Sequence, residues 1–194
     1  MYRKFIFISA ISIISILFIA TAIAGPQQTV ENFTLPDYNQ KQHSLTDYNG
    51  SKAIVLMFIS TRCPVSNSYN QRMEDLYKKY NTKGVIFLGI NANSMEDLKE
   101  IKKHALEKEF SFPVLKDDNN VIADKLKASV TPEIFVLNSE GVILYHGRID
   151  DSKNETDVKS PDLKNALNEV LAGKPVTTAK TKVFGCSIKR VEKK

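Results

Sequence analysis

Ala53-Ile54-Val55-Leu56-Met57-Phe58-Ile59-Ser60-Thr61-Arg62-Cys63-Pro64-Val65-Ser66 is the stretch that decides the fold. Residues 53–60 form a continuous apolar run, as expected of a central strand covered on both faces. The spacing after it predicts a helix from Pro64 to Tyr80. Pro64 suits a first helical position, where its missing N–H would be unpaired anyway. Tyr69, Met73, Leu76 and Tyr80 recur at intervals of three and four and give that helix a buried face. Gly84 ends it. Cys63 therefore stands at the junction of a strand and a helix. Unpaired helix N–H groups and the helix dipole favour an anion there. Such surroundings lower a cysteine pKa from about 8.5 toward neutrality or below. The bland alternative is a buried structural cysteine, common for this residue type.

Outward from this junction, helices and strands alternate. Val30, Phe33 and Leu35, then Pro36-Asp37 and Ser44-Leu45, predict a small N-terminal hairpin. Val85 to Ile90 is a second buried strand. Ser94 is a candidate cap for a helix to Lys108, with Glu96 and Asp97 in its first turn. Phe112 to Leu115 is a short extended piece, and Asn119 or Asn120 opens a brief helix to Leu126. Glu133 to Leu137 and Val142 to Gly147 form a hairpin around Asn138-Ser139-Glu140-Gly141. Pro161 to Ala172 is the last helix, stopped by Gly173 and Pro175. The early crossovers require parallel pairing and the hairpin antiparallel pairing, so the sheet is mixed.

The chain has 194 residues and begins Met1-Tyr2-Arg3-Lys4, followed by an apolar run from Phe5 to Ala24. The basic start, the apolar run and Ala22-Ile23-Ala24 predict a signal peptide, residues 1–24, cut before Gly25. The rival is an uncleaved membrane anchor, since the run is long enough to span a bilayer. The remaining chain divides into a domain at 25–175 and a tail at 176–194 that carries Cys186. Loss of Arg3 and Lys4 would lower the formal charge from +5 to +3. The basic tail residues Lys189, Arg190, Lys193 and Lys194 read as solvated in an exported protein, not as a nucleic-acid site. Export favours disulfides, and two cysteines make one potential bridge. The three histidines are scattered, and no cysteine–histidine cluster has zinc-site spacing. Asp117-Asp118 and Asp150-Asp151 lack the regular oxygen ligands of a calcium loop. No metal or cofactor is expected.

The carriers of a resemblance are Phe33-Thr34-Leu35-Pro36-Asp37, Ser44-Leu45-Thr46-Asp47-Tyr48, Cys63-Pro64, Thr131-Pro132-Glu133-Ile134-Phe135-Val136-Leu137 and Gly141. In this order and spacing they resemble the thioredoxin superfamily, and within it the exported redoxin branch (AhpC/TSA-like, TlpA/ResA-like), over residues 29–172. The resemblance implies an α/β, thioredoxin-like three-layer fold: a central mixed sheet flanked by helices, with an N-terminal hairpin. It implies a cis peptide bond at Thr131-Pro132, with the Thr131 backbone open to a bound peptide. Two departures stand out. Ser66 occupies the place of the second cysteine of a Trp-Cys-x-x-Cys motif. Leu56 occupies the place of the proline in the peroxiredoxin pattern Pro-x-x-x-Thr/Ser-x-x-Cys, although Ser60 fits it.

The site expectations follow. Cys63 is the nucleophile. Arg62 is a nearby cation, or is simply solvated. Ser66 donates a hydrogen bond to the thiolate but cannot resolve a mixed disulfide. Cys186, on a tail free to move, is the resolving thiol, one half of a structural staple, or a partner between molecules. A staple over so long a loop would stabilise the fold by about 4–5 kcal/mol in the chain-entropy model. Arg148 is a candidate for polarising a peroxide, or a solvated strand end. Three function classes remain. One is a thiol-dependent oxidoreductase acting on disulfides or peroxide, reset by an external thiol reductant. The second is a redox-inert peptide-binding module. The third, copper delivery, lacks the ligand set that a soft metal needs.

Overall fold

The computed structural model describes residues 28–192; the predicted signal segment and its alternative as an anchor lie outside them. No helix among the described residues is long and apolar enough to cross a membrane.

The sheet grows from the apolar run. Strand β3 (Ala53–Phe58) is buried at every position. It pairs in parallel with β4 (Val85–Asn91) and antiparallel with β7 (Glu133–Leu137). Strand β5 (Val114–Lys116) adds in parallel beyond β4, and β8 (Ile143–Gly147) adds antiparallel beyond β7. The order β5-β4-β3-β7-β8 is the expected mixed sheet. The N-terminal hairpin is present as β1 (Thr34–Pro36) and β2 (Gln42–Ser44). Alternate β3 residues enter two cores: Val55 and Met57 pack with Met73, Tyr80 and Leu167, and Leu56 and Phe58 with Leu35, Ile90 and Leu126. The helices are α1 (Pro64–Asn67), α2 (Asn70–Asn81), α3 (Leu98–Glu107), α4 (Val121–Leu126) and α5 (Asp162–Leu171).

Two helix predictions need correction. The expected helix from Pro64 to Tyr80 is two helices, α1 and α2. Between them Ser68 Oγ donates to the Val65 carbonyl at 2.7 Å, and Tyr69 N–H bonds the Ser66 carbonyl three residues back. The run Ser66-Asn67-Ser68 offers local side-chain partners that compete with helical bonds. The helix expected to be capped by Ser94 is capped by Asp97, whose carboxylate accepts the Glu100 N–H at 2.8 Å, and starts at Leu98. Ser94 instead donates its backbone N–H to the Lys189 carbonyl at 2.8 Å.

That last contact belongs to the tail, which is docked rather than free. The Ala179 carbonyl accepts the His146 N–H, and Thr181 N–H bonds the His146 carbonyl, along the open edge of β8. Strand β9 (Cys186–Ser187) then pairs antiparallel with β6 (Val130–Thr131). Ile188 is buried in the core that includes Ile90 and Leu126.

Candidate thiol–disulfide site

Cys63 caps α1, and its Sγ lies 3.3 Å from the Ser66 N–H. Because α1 is a single turn, this oriented amide, rather than the dipole of a long helix, is what faces the sulfur. The Ser66 side chain is turned elsewhere: its Oγ accepts the Ser60 N–H at 3.2 Å, and the residue is fully buried. The expectation that the Ser66 hydroxyl supports the thiolate is therefore corrected. The backbone of Ser66 holds that position.

A polar network fixes the Cys63 backbone from below. Ser60 Oγ accepts the N–H groups of Cys63 at 3.0 Å and Arg62 at 3.2 Å. Its hydrogen goes to Glu96 Oε1 at 2.6 Å. Glu96 is only 3% exposed, and its other oxygen accepts Thr61 N–H and Asn91 Nδ2–H. Sequence reasoning read Glu96 as a first-turn helix acid and missed this role. The contact spans 36 positions, and no local pattern signals it.

Arg62 points away from the sulfur. Its guanidinium makes two bonds to Glu100, at 2.9 and 2.5 Å, and its side chain is 57% exposed. The bond to Arg62 carries the Glu100 carboxyl down to about 2, with Thr61 adding to the effect and burial opposing it. A direct electrostatic role for Arg62 at the thiol is not what the geometry provides. Arg148 is likewise committed elsewhere, to Asp162 at 2.7 Å at the start of α5. One aspartate of each acidic pair is also committed to structural contacts. Asp117 accepts the Ile122 and Ala123 N–H groups at the start of α4, and Asp150 binds Arg72 and Tyr69.

The facing loop has the expected cis bond between Thr131 and Pro132. The Thr131 carbonyl lies 3.3 Å from Cys63 Sγ; in the reduced state a thiol S–H can donate to it. Glu133 anchors this loop from beneath. Its carboxylate accepts Ser129 and Val130 N–H at 2.7 and 3.1 Å, and His146 Nε2–H at 2.7 Å. Burial would raise the Glu133 pKa, but the His146 bond and the two amides hold it below the ordinary value.

Cys186 completes the site. It is disulfide-bonded to Cys63 with a Cα–Cα distance of 5.8 Å, and it lies opposite Thr131 in the β6–β9 pair. The predicted residues Cys63, Ser66, Thr131, Pro132 and Cys186 thus converge, while Arg62 sits at the rim. Gly185 makes the approach possible: a Cβ there would collide with the Thr131 carbonyl.

The sequence and the fold have counterparts among known proteins. ResA, a thiol–disulfide oxidoreductase of Bacillus subtilis, is 30% identical over 115 residues, covering 58% of this chain and 62% of ResA. The chain thus spans less than two thirds of the length of that relative. A hypothetical protein of Sinorhizobium meliloti superposes with a TM-score of 0.81 at 29% identity, covering 88% of this chain and 97% of its own. The thioredoxin domain of a thiol–disulfide oxidoreductase from Bacteroides vulgatus shares the fold at a TM-score of 0.55 and 17% identity, covering 63% of this chain and 88% of its own. The AhpC/TSA family profile matches residues 26–146. By that match and by the fold around Cys63, the chain belongs to the AhpC/TSA family.

Proposed function

We propose that this chain is a thiol–disulfide oxidoreductase acting on protein disulfides, with Cys63 as nucleophile and Cys186 as resolving thiol. In the reduced chain, the Cys63 thiolate attacks one sulfur of a substrate disulfide. A Cys63–substrate bond forms, and the other substrate sulfur leaves as a thiolate. Cys186 then attacks Cys63 Sγ, the mixed disulfide breaks, and the second substrate thiolate departs. The substrate has gained two electrons and the chain now holds the Cys63–Cys186 disulfide, which an external dithiol reduces. The observation that carries this reading is the pairing of Cys186 with Cys63 at the cis-proline loop. Ser66 cannot resolve the intermediate, and the bond between Cys63 and Cys186 supports Cys186 as the second sulfur.

A peroxidase is the second reading, and one observation weighs against it. The Ser60 hydroxyl has one hydrogen, and Glu96 takes it. Ser60 then faces the Cys63 region only as an acceptor, with no hydrogen left to donate to a peroxide oxygen. The test compares reduction of a protein disulfide with consumption of hydrogen peroxide, each with and without Cys63→Ser. Cys63-dependent disulfide reduction with little peroxide consumption supports the proposal. Rapid Cys63-dependent peroxide consumption without disulfide exchange overturns it.

The proposed location is the periplasm or the exterior, on the strength of the apolar run and the Ala22-Ile23-Ala24 site. A retained N-terminal segment would instead tether the same domain to a membrane. The proposed partners are thiol or disulfide proteins and an external thiol reductant.

A further inference from the structure

The bridge between Cys63 and Cys186 joins two sulfurs in unlike surroundings. Cys63 is 4% exposed. Its Sγ has the Ser66 N–H and the Thr131 carbonyl oxygen each at 3.3 Å. Cys186 is partly exposed and stands between two exposed residues, Gly185 and Ser187. Opening such a bridge is a displacement in which one sulfur is attacked and the other leaves. The choice between them follows access and the acidity of the leaving thiol.

Both criteria select the same direction. An incoming thiolate reaches the tail from solvent, and it meets exposed Lys180, Lys182 and Lys189, with no acidic residue between Val176 and Val191. A positive surface draws an anion in. At Cys63 the thiolate would face a buried sulfur and the negative end of the Thr131 carbonyl. The leaving-group side agrees. The Ser66 N–H faces Cys63 Sγ, and a hydrogen bond to the charged form favours the thiolate. Among the described residues no hydrogen bond is made to Cys186 Sγ.

We propose that Cys186 is the sulfur through which the external dithiol enters and that Cys63 is the leaving thiolate, so the two partners of the cycle use different sulfurs, the substrate Cys63 and the reductant Cys186. This rests on the exchange reading above. The first reductant thiolate bonds to Cys186 Sγ, the Cys63–Cys186 bond breaks, and Cys63 keeps the electron pair. The second reductant thiolate attacks the reductant's own sulfur in the adduct, and Cys186 departs as a thiolate that takes up the released proton. The reductant becomes a disulfide and the chain gains two electrons. Two tail bonds involve no sulfur: Ile188 N–H to the Ser129 carbonyl at 3.0 Å and Lys189 N–H to Asn93 Oδ1 at 2.9 Å. They hold the adducted tail beside Cys63 at high effective concentration. A monothiol is therefore expelled when Cys63 attacks back, and a second thiol in the same reductant completes the opening.

The test uses the full oxidised chain with no substitution. The probe is glutathione in large excess, added by rapid mixing and stopped with acid after short intervals. Free thiols are then blocked with N-ethylmaleimide in mild acid, and mass spectrometry of the peptides locates each label. Extrapolated to zero time, before glutathione migrates between sulfurs, the adduct on Cys186 should exceed that on Cys63 by about tenfold or more, with maleimide on Cys63. Adducts that begin equally on both cysteines, or mainly on Cys63, overturn the proposal and leave the exchange reading standing. A bridge that glutathione never opens overturns both. Reduction of a protein disulfide is measured on the same preparation. Adducts on Cys186 in a chain that reduces no protein disulfide would remove the exchange reading and keep Cys186 as the entry sulfur.

Discussion

Cys186 lies opposite Thr131 in an antiparallel pair and is joined through its sulfur to Cys63, so one residue both fills the cis-proline edge and covers the Cys63 sulfur. The two roles separate on mutation. Cys186→Ser should leave the first attack intact and block release, so turnover of a protein disulfide falls by roughly 100-fold or more while a stoichiometric Cys63–substrate adduct accumulates. Non-reducing mass spectrometry reads the adduct. The same variant should lose up to about 4–5 kcal/mol of stability relative to the oxidised natural chain, by the chain-entropy estimate for a loop this long.

Ser66 offers a contrast between stability and reactivity. Its Oγ accepts the buried Ser60 N–H, while its backbone N–H faces the sulfur. Ser66→Ala should therefore cost about 1–3 kcal/mol for an unsatisfied buried donor. The alkylation rate of reduced Cys63 should change little. Denaturant unfolding and a thiol-reactive dye measure the two effects on one sample.

Removal of Arg62 should likewise leave Cys63 reactivity nearly unchanged. Its guanidinium holds Glu100 at about 2, with no comparable link to Cys63. Arg62→Ala should return Glu100 to near its ordinary value of about 4.3, observable by carboxyl-carbon NMR. The dye reactivity of Cys63 should stay within about twofold, since a cation already paired with a carboxylate and open to solvent adds little field at a neighbouring site.

The cis-proline loop should weaken in acid. The folded-state pKa of Glu133 lies below its ordinary value, despite burial, because His146 and the Ser129 and Val130 amides bind the carboxylate. A depressed carboxyl contributes stability that is complete above the unfolded-state value and is lost as pH falls through the folded-state value. Unfolding free energy should therefore decline below about pH 4.3. Glu133→Gln should be less stable at neutral pH and should show a shallower decline. An equally steep acid decline in Glu133→Gln would remove this account.

Much of the fold was legible because β3, β4 and β7 are dense apolar runs with turn residues between them. Cys63, Thr131 and Pro132 were legible because their order matches a family pattern. Local helix boundaries were less so. Ser94 has the chemistry of a cap, but its backbone is engaged by Lys189, and Asp97 caps α3 instead. The break at Ser68 depends on a side-chain bond that competes with the helix, which apolar periodicity does not register. Glu96 and Asn93 act across long sequence separations, on Ser60 and on Lys189, and only the assembled fold brings those groups together. The tail reads as mobile from its lysines and threonines, yet every second residue from Cys186 to Arg190 meets a partner on the domain.

The most direct test of the central claim is a redox titration of the Cys63–Cys186 pair in the full chain, followed by mass shift after thiol blocking. The account predicts a pair that opens and closes reversibly against a dithiol buffer, at a potential above about −300 mV, the range below which structural disulfides of exported proteins lie. A bridge that stays closed until more reducing potentials than that would make Cys63–Cys186 a staple and contradict the catalytic reading.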